Sequence, residues 1–261
     1  VSMLGVVERE WVVGAGRGVV RGLSGGSVVE GFAARVAESP GAVAVVCGDV
    51  SLTYGELDAR AGRLARVLVG RGVGVESRVG LLLERSVDVV VAMLAVVRAG
   101  GAYVPLHGSY PEERVREVLG RSGAALVVTD RGVDEVGGLP VVRVNAEPAS
   151  DVRLPSALRA SSLAYVMFTS GSTGVPKGVA VTHGDVVALA ADSRWSSGAH
   201  ERVLFHSPHS FDAATFEVWV PLLNGGTADV AEADLSASVV RAAVARGVSG
   251  LFLTKALFDV L

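Results

Sequence analysis

The stretch Ser170-Gly-Ser-Thr-Gly-Val-Pro-Lys-Gly178 decides the fold, because it follows an apolar run, Leu163-Ala-Tyr-Val-Met-Phe168, that is typical of a buried strand. Glycine lets a backbone approach a ligand closely, and successive free N–H groups in such a turn form a concave site for phosphate oxygens. The hydroxyls of Ser172 and Thr173 can donate to the same oxygens, and Lys177 adds a compact positive charge. A strand that leads into such a loop predicts an α/β enzyme that holds a nucleotide.

The spacing within the loop does not fit two common phosphate-binding motifs. A Walker loop ends in Gly-Lys-Ser/Thr and leads straight into a helix, whereas here Pro176 precedes Lys177 and Gly178 follows it. A dinucleotide fingerprint, Gly-x-Gly-x-x-Gly with a later acidic residue, is not matched either. A solvated Gly/Ser linker is the remaining alternative. Such a linker would not lie between an apolar strand and a second apolar run, Val179-Ala-Val-Thr182.

The longer string Tyr165-Val-Met-Phe-Thr-Ser-Gly-Ser-Thr-Gly-Val-Pro-Lys-Gly-Val179 resembles the signature of the AMP-forming adenylating enzymes. This superfamily includes acyl-CoA synthetases, luciferases and the adenylation domains of nonribosomal peptide synthetases. The resemblance implies catalytic roles for Thr173 and Lys177. It also implies that the ATP phosphates are bound by Thr169, Ser170, Gly171, Ser172, Thr173, Gly174 and Lys177.

Two further segments are similar to adenylation domains, and the second runs into a departure from the family. The segments are Leu52-Thr-Tyr-Gly-Glu-Leu57 and Arg98-Ala-Gly-Gly-Ala-Tyr-Val-Pro-Leu106. The chain continues Leu106-His-Gly-Ser-Tyr-Pro111, where amino-acid-activating members usually have Leu-Asp-Pro-x-Tyr-Pro. His107 could be a metal ligand or an acid–base group, but no second histidine or carboxylate lies at ligand spacing. We therefore interpret His107 as a surface-loop residue.

The segment His209-Ser-Phe-Asp-Ala-Ala-Thr-Phe-Glu-Val-Trp219 resembles the part of peptide-synthetase adenylation domains that lines the substrate pocket. In those relatives an Asp faces the α-amino group of the substrate, and Asp212 occupies that position. An ammonium group that leaves water needs an anionic partner, so the assignment is physically reasonable. The alternative is that Asp212 only caps a helix that starts at Ala213.

By the same resemblance, Ala213, Phe216 and Phe252 fall on other positions that line the substrate pocket. Together with Asp212 they leave an apolar pocket without a further charge, as in relatives that take branched aliphatic amino acids such as Val or Ile. The alternative is that both phenylalanines simply belong to the core.

Strand and helix patterns alternate along the chain, which predicts an α/β fold. Capping boxes at Ser27-Val-Val-Glu30 and Thr53-Tyr-Gly-Glu56 predict helix starts, and Gly48-Asp49 predicts a hairpin turn. Ser249–Leu253 is predicted as the last strand. Residues 1–26 are rich in Gly, Val and Arg and are interpreted as an interdomain linker. The resemblance assigns residues 27–261 to layered, largely parallel sheets with packed helices, as in the N-terminal subdomain of AMP-forming adenylating enzymes.

Composition is consistent with an enzyme that has a sizeable core. Half of the 261 residues are hydrophobic, and a net charge of −3 gives no reason to expect nucleic-acid binding. Cys47 is the sole cysteine, so no internal disulfide can form and a cytoplasmic location is expected. The longest apolar stretch, Val87–Val97, is too short to span a bilayer, and no signal peptide or membrane association is expected.

The resemblance implies that a substrate carboxylate attacks the α-phosphorus of ATP–Mg²⁺, giving an aminoacyl adenylate and pyrophosphate. The adenylate would then pass to the phosphopantetheine thiol of a carrier protein. Relatives hold adenine, ribose and Mg²⁺ with later segments and carry a catalytic lysine in a C-terminal subdomain, and none of these is present up to Leu261. We therefore expect the N-terminal portion of an adenylation domain without its C-terminal subdomain. It would contain no metal ligand of its own and be inactive alone.

The expected partners follow from this assignment. They are an amino-acid substrate, the rest of the adenylation domain, a carrier protein and an upstream condensation domain. Two other interpretations stay open: a different adenylate-forming ligase, such as an acyl- or aryl-CoA synthetase, and a non-catalytic remnant that keeps the fold.

Overall fold

The computed structural model describes residues 5–16, 26–148, 152–155, 158–169, 176–195, 197–198 and 200–260. Its helices are α1 Val6–Gly16, α2 Val28–Glu38, α3 Tyr54–Gly70, α4 Val87–Arg98, α5 Glu112–Ser122, α6 His183–Ala190, α7 Ala213–Leu223, α8 Ala237–Ala245 and α9 Lys255–Phe258. Its strands are β1 Val43–Cys47, β2 Val50–Thr53, β3 Arg78–Leu82, β4 Ala102–Pro105, β5 Ala124–Thr129, β6 Glu135–Val136, β7 Leu139–Arg143, β8 Leu163–Thr169, β9 Lys177–Thr182, β10 Arg202–Phe205 and β11 Thr227–Val230. No helix in these ranges is long and apolar enough to cross a membrane.

Two sheets organise the chain, and most of their strand pairs are parallel. The smaller sheet has the order β10-β11-β1-β2, and the larger one has the order β6-β7-β5-β3-β4-β8-β9. The antiparallel pairs are β1 with β2, β6 with β7, and β8 with β9. The predicted layered α/β class is therefore confirmed. In parallel sheets, ligands bind beyond the carboxyl ends of the strands, which is where β8 leads into the glycine-rich loop.

The local signals for helix starts and turns are confirmed at the predicted residues. Ser27 Oγ accepts from Glu30 N at 3.2 Å, and Glu30 Oε2 accepts from Ser27 N at 2.7 Å. The same reciprocal pair forms between Thr53 and Glu56 at the start of α3. Gly48 turns the β1–β2 hairpin with a φ of 56°, a conformation that glycine adopts at little cost.

Two features differ from the sequence predictions. Ser249–Leu253 forms no strand, because only Gly250 makes a bridge to β10 and the carbonyl of Phe252 instead lies 2.7 Å from His206 Nε2. The described part of the predicted linker contains helix α1, in which Trp11 is 72% exposed. Its interdomain role stays a prediction.

Helix α7 is the element through which the two sheets are connected near the candidate site. It packs against β10 and β11 of the smaller sheet. Trp219 Nε1 donates to Tyr103 Oη at 3.0 Å, and Tyr165 Oη lies 2.8 Å from Thr215 Oγ1. Because Tyr103 and Tyr165 stand on β4 and β8, these bonds fix α7 against the larger sheet as well.

A buried carboxylate, Glu217, forms part of this anchoring. The side chain is fully buried, and it accepts hydrogen bonds from Ser207 N at 3.0 Å and from Ser207 Oγ at 2.9 Å. His206 Nε2 lies 3.2 Å away. Burial raises the pKa of Glu217 to about 7, against the opposing effect of these donors, and burial lowers the pKa of His206.

Glu217 should make the stability of the fold depend on pH. The folded chain keeps the Glu217 proton up to about pH 7, whereas the unfolded chain releases it near the ordinary pKa of 4.5. The stabilising effect of the raised pKa is therefore complete below 4.5 and is lost as the pH rises through about 7. We therefore expect the free energy of unfolding of the native protein, measured relative to that of Glu217→Gln, to fall by roughly 2–3 kcal/mol as the pH rises from about 5 to 8.

Urea unfolding of the two proteins across this range measures the difference. Glu113→Gln, which alters an exposed carboxylate in the first turn of α5, serves as the control and should show no such trend. A difference between native protein and Glu217→Gln that does not change with pH would contradict the prediction.

Candidate functional site

Asp212 stands immediately before α7, and its carboxylate does not cap that helix. Its backbone is helical, with φ −62° and ψ −28°, and no hydrogen bond joins its side chain to the first turn. Thr215 N donates instead to the backbone carbonyl of Asp212 at 2.9 Å. The structure therefore does not support capping as the reason for an acidic residue here. Because the side chain is exposed, the charge is available to a ligand.

A cavity of about 360 Å³, here called the side-chain cavity, opens beside Asp212. The structure brings the four predicted substrate-pocket residues together around it. The complete lining is Tyr165, Val181, Asp185, Val186, Leu189, Asp212, Ala213, Thr215, Phe216 and Phe252. Phe252 is 40% exposed and Phe216 is half-buried, so neither ring is a core residue in the described structure.

A second cavity of about 530 Å³, here called the loop cavity, adjoins the first. Tyr165, Val181 and Asp212 line both cavities, and the loop cavity extends to Thr169 at the end of β8. Asp212 therefore lies at the boundary between a largely apolar space and a space that reaches the start of the glycine-rich loop. The Oγ atom of Ser210, which also lines the loop cavity, is buried and has no partner among the described residues.

The two carboxylates of the side-chain cavity differ in what they do. Asp185 Oδ2 accepts from Thr182 N at 2.9 Å and from Thr182 Oγ1 at 2.7 Å, and these bonds lower the pKa of Asp185. Asp185 thus caps α6, whereas the carboxylate of Asp212 is not held by the described residues. Tyr165 also lines this cavity. Burial raises the pKa of Tyr165, so its hydroxyl stays protonated and hydrogen-bonds with Thr215.

The predicted phosphate-binding residues are only partly within the described structure. Ser170, Gly171, Ser172, Thr173 and Gly174 lie outside the described residues. The two flanking residues belong to strands: Thr169 ends β8, Lys177 begins β9, and they are paired across the antiparallel hairpin.

Lys177 has an exposed side chain that lines a separate surface groove together with Arg78 and Arg121. Thr169 faces the loop cavity instead. The structure therefore places the two ends of the loop beside each other, while the side chains of Thr169 and Lys177 line different spaces.

Several lining residues were not singled out from the sequence. Tyr165, Val181 and Leu189 contribute to the side-chain cavity, and Arg114 contributes to the loop cavity. The strand alternation of β8 could have identified Tyr165, because alternate residues of a strand face the same side. Leu189 and Arg114 depend on how α6 and α5 pack, which no local pattern reports.

His107 lies on the loop that follows β4, as predicted. Its Nδ1 atom is 2.6 Å from Ser109 Oγ, and it lines a polar cavity with Glu84 and Arg85. Within the described ranges, no cluster of three or more metal-ligating side chains could hold a metal ion.

Comparison with known proteins gives a family for this arrangement. A family model described as AMP-binding enzyme matches residues 32–261. Tyrocidine synthase 3 of Brevibacillus parabrevis is 39% identical over 207 residues, which are 77% of this chain and 3% of that protein. Malpibaldin synthetase of Mortierella alpina is 38% identical over 242 residues, which are 87% of this chain and 4% of that protein. The chain thus spans only a few per cent of the length of these relatives.

Solved structures agree with the sequence comparison. The NpsA N-terminal subdomain of Klebsiella oxytoca superposes with a TM-score of 0.80 at 28% identity, covering 89% of this chain and 62% of that chain. Holo-PA1221, an NRPS protein containing adenylation and PCP domains, superposes with a TM-score of 0.82 at 30% identity, covering 90% and 42% respectively. The chain therefore belongs to the AMP-binding enzyme family, and within that family it is related to the adenylation domains of nonribosomal peptide synthetases.

Proposed function

We propose that this chain, as part of a longer polypeptide, activates an amino acid with ATP to form an aminoacyl adenylate. The observation that carries the proposal is the position of Asp212. Its uncommitted carboxylate lies between an apolar cavity and a cavity that reaches the phosphate loop. An α-ammonium bound at Asp212 would direct the substrate side chain into the first space and the substrate carboxylate into the second.

The proposed reaction is an in-line displacement at phosphorus. A carboxylate oxygen of the amino acid forms a bond to the α-phosphorus of ATP, and the bond to the bridging oxygen breaks as pyrophosphate leaves. Such a step depends mainly on positioning and charge neutralisation. Thr169, the predicted residues 170–174 and Lys177 would hold the β- and γ-phosphates. Mg²⁺, when bound, supplies further positive charge, and its main ligand is expected outside this chain.

The substrate class that we propose is an apolar, branched aliphatic amino acid. The walls formed by Ala213, Phe216 and Phe252 are small or apolar, and Val186 and Leu189 extend the same surface. Asp185 is the other charged lining residue, and its carboxylate is already engaged by Thr182. A charged substrate side chain would therefore enter this space without a dedicated partner, which is unfavourable.

The partners that we propose are those of a peptide-synthetase module. The holo-PA1221 structure combines adenylation and PCP domains, which supports transfer of the adenylate to a carrier's phosphopantetheine thiol. We also propose that residues 1–26 link the domain to an upstream condensation domain, and that the protein acts in the cytoplasm.

The two alternative functions make different demands on the site. An acyl- or aryl-CoA synthetase would have no need of a carboxylate at Asp212, and a non-catalytic remnant would not bind ATP.

The proposal is tested by ATP–pyrophosphate exchange with a panel of amino acids and carboxylic acids. The full-length polypeptide that contains this chain should exchange fastest with Val, Ile or Leu, and the isolated 261 residues should show no useful exchange. Activity with aliphatic or aromatic acids that lack an α-amino group would favour the CoA-synthetase alternative. Preference for a charged amino acid would contradict the apolar assignment, and exchange by the isolated chain would contradict its inactivity.

Asp212→Asn should lower kcat/KM for the preferred amino acid by about tenfold to 100-fold, because a charge-assisted contact with the ammonium is lost. The same variant should lose much less activity with the corresponding acid that lacks the amino group. Steady-state exchange kinetics measure both effects. Asp134→Asn, a change at an exposed aspartate, is the matched control and should behave as the native protein. If Asp212→Asn lowered kcat/KM equally for the amino acid and for the acid without an amino group, Asp212 would not be the residue that binds the ammonium group.

The two lysines of the chain provide a matched pair for the phosphate loop. Lys177→Met should raise KM for ATP and lower kcat, together reducing kcat/KM by about tenfold or more, since one charge-assisted phosphate contact disappears. Lys255→Met removes a lysine whose ammonium group pairs with Asp259 on the surface, and it should leave the kinetics unchanged. ATP titrations of the two variants decide the point. If the kinetics of Lys177→Met were the same as those of Lys255→Met, Lys177 would be excluded from phosphate binding.

A further inference from the structure

The wall of the side-chain cavity is backed by an indole that does not itself line the cavity. Trp195, in the 3₁₀ turn Ser193–Trp195, donates from Nε1 to the carbonyl oxygen of Leu189 at 2.6 Å. Its ring centroid lies 5.0 Å from that of Phe216, with the planes tilted by 53°. Leu189 and Phe216 both line the cavity and come from the neighbouring helices α6 and α7. The side chain of Trp195 therefore contacts two cavity-lining residues, Leu189 and Phe216, without lining the cavity itself.

A histidine completes the support of Phe216. The ring of His200 meets Trp195 edge-on at 4.9 Å and Phe216 edge-on at 5.8 Å. Edge-to-face contacts of this kind fix the relative orientation of aromatic rings and contribute beyond simple burial. His200 Nδ1 is buried and has no hydrogen-bond partner among the described residues. The contacts that these residues show for the ring are therefore its packing against Trp195 and Phe216.

Local hydrogen bonds hold the indole in this place. The backbone N of Trp195 donates to the carbonyl of Asp192 at 3.0 Å. The guanidinium of Arg194 pairs with the Asp192 carboxylate at 2.8 Å and lies 5.7 Å from the indole centroid. Asn224 Nδ2 donates to carbonyls at the ends of both helices, to Ala190 at 2.9 Å and to Val220 at 2.8 Å. Asn224 thus ties α6 to α7, and Trp195 is tied to α6 through the carbonyl of Leu189.

We propose that Trp195 is a positioning residue that sets the size of the amino-acid side chain accepted by the side-chain cavity. It does so by holding the Phe216 ring against the cavity from behind. The inference deepens the proposed function and rests on it. Without the indole, the Phe216 ring gains a space into which it can rotate, and the cavity becomes larger on that side. Close packing otherwise leaves the ring no such alternative position.

Trp195→Leu tests the proposal in the full-length polypeptide that contains this chain. Exchange kinetics with L-valine and L-phenylalanine give the ratio of kcat/KM for the larger to the smaller side chain. We expect this ratio to rise by about tenfold or more, the scale on which small differences in an apolar pocket discriminate. Trp195→Phe keeps an aromatic ring against Phe216, and its ratio should stay within about threefold of the native value.

Two further variants separate positioning from general destabilisation. Trp11→Leu makes the same chemical change on the exposed helix α1 and should leave the ratio unchanged. If Trp195→Leu does not fold, as judged by circular dichroism, His200→Gln removes the second supporting ring and should shift the ratio in the same direction. Equal losses for both amino acids, or an unchanged ratio in the folded variant, would overturn the inference.

The outcome for the native protein distinguishes failure of the inference from failure of the function. A native polypeptide that exchanges with no amino acid would overturn the proposed function and the inference together. An active native protein whose amino-acid preference is unaffected by Trp195→Leu and His200→Gln would overturn the inference alone.

Discussion

Helix α7 can contact both sheets only because the polar side chains on its buried face are satisfied. Thr215 pairs with Tyr165, Trp219 donates to Tyr103, and Glu217 accepts from Ser207. An unsatisfied donor or acceptor at any of these places would cost about 1–3 kcal/mol. These bonds fix the rotation of the helix about its own axis, and with it the direction in which the preceding residue, Asp212, presents its carboxylate. The position of the candidate ammonium site is thus a consequence of how α7 is anchored.

Two acidic residues of one short segment show how environment divides their roles. Glu217 is fully buried, and burial raises its pKa to about 7. Asp212, five positions earlier in the sequence, is exposed at the boundary of two cavities and has no capping role. A carboxylate in the first environment contributes to stability as a proton-binding group, whereas one in the second can meet a cation from solvent. Hydrophobic periodicity alone does not distinguish the two; only the resemblance to peptide-synthetase adenylation domains singled out Asp212.

Local sequence signals predicted the parts of the fold whose causes are local. Capping boxes at Ser27 and Thr53 give reciprocal hydrogen bonds over three residues, so a short pattern contains their full explanation. The predicted strand at 249–253 was wrong because strand formation needs pairing over several residues, and here the backbone bonds to β10 involve Ser249 and Gly250 and form a single bridge. That Asp212, Ala213, Phe216 and Phe252 share one cavity could be anticipated from the resemblance alone. The support of that pocket by Trp195 depends on the packing of α6 and α7, which no spacing in the sequence encodes.

The β8–β9 hairpin determines where the two ends of the glycine-rich loop lie. Thr169 and Lys177 are paired as the last and first residues of antiparallel strands, so the ladder β8–β9 brings the ends of the intervening loop together. A Cβ at Gly178 would lie 3.1 Å from side-chain atoms of Val166 and Phe168, so glycine lets these two side chains pack closely against the ladder. Tyr165, on the same strand β8, reaches both cavities and bonds to α7. Strand β8 therefore carries the start of the glycine-rich loop at one end and a shared wall of both cavities in its middle. Because the strand is continuous, the separation between Tyr165 and Thr169 is set by the rise of the strand itself.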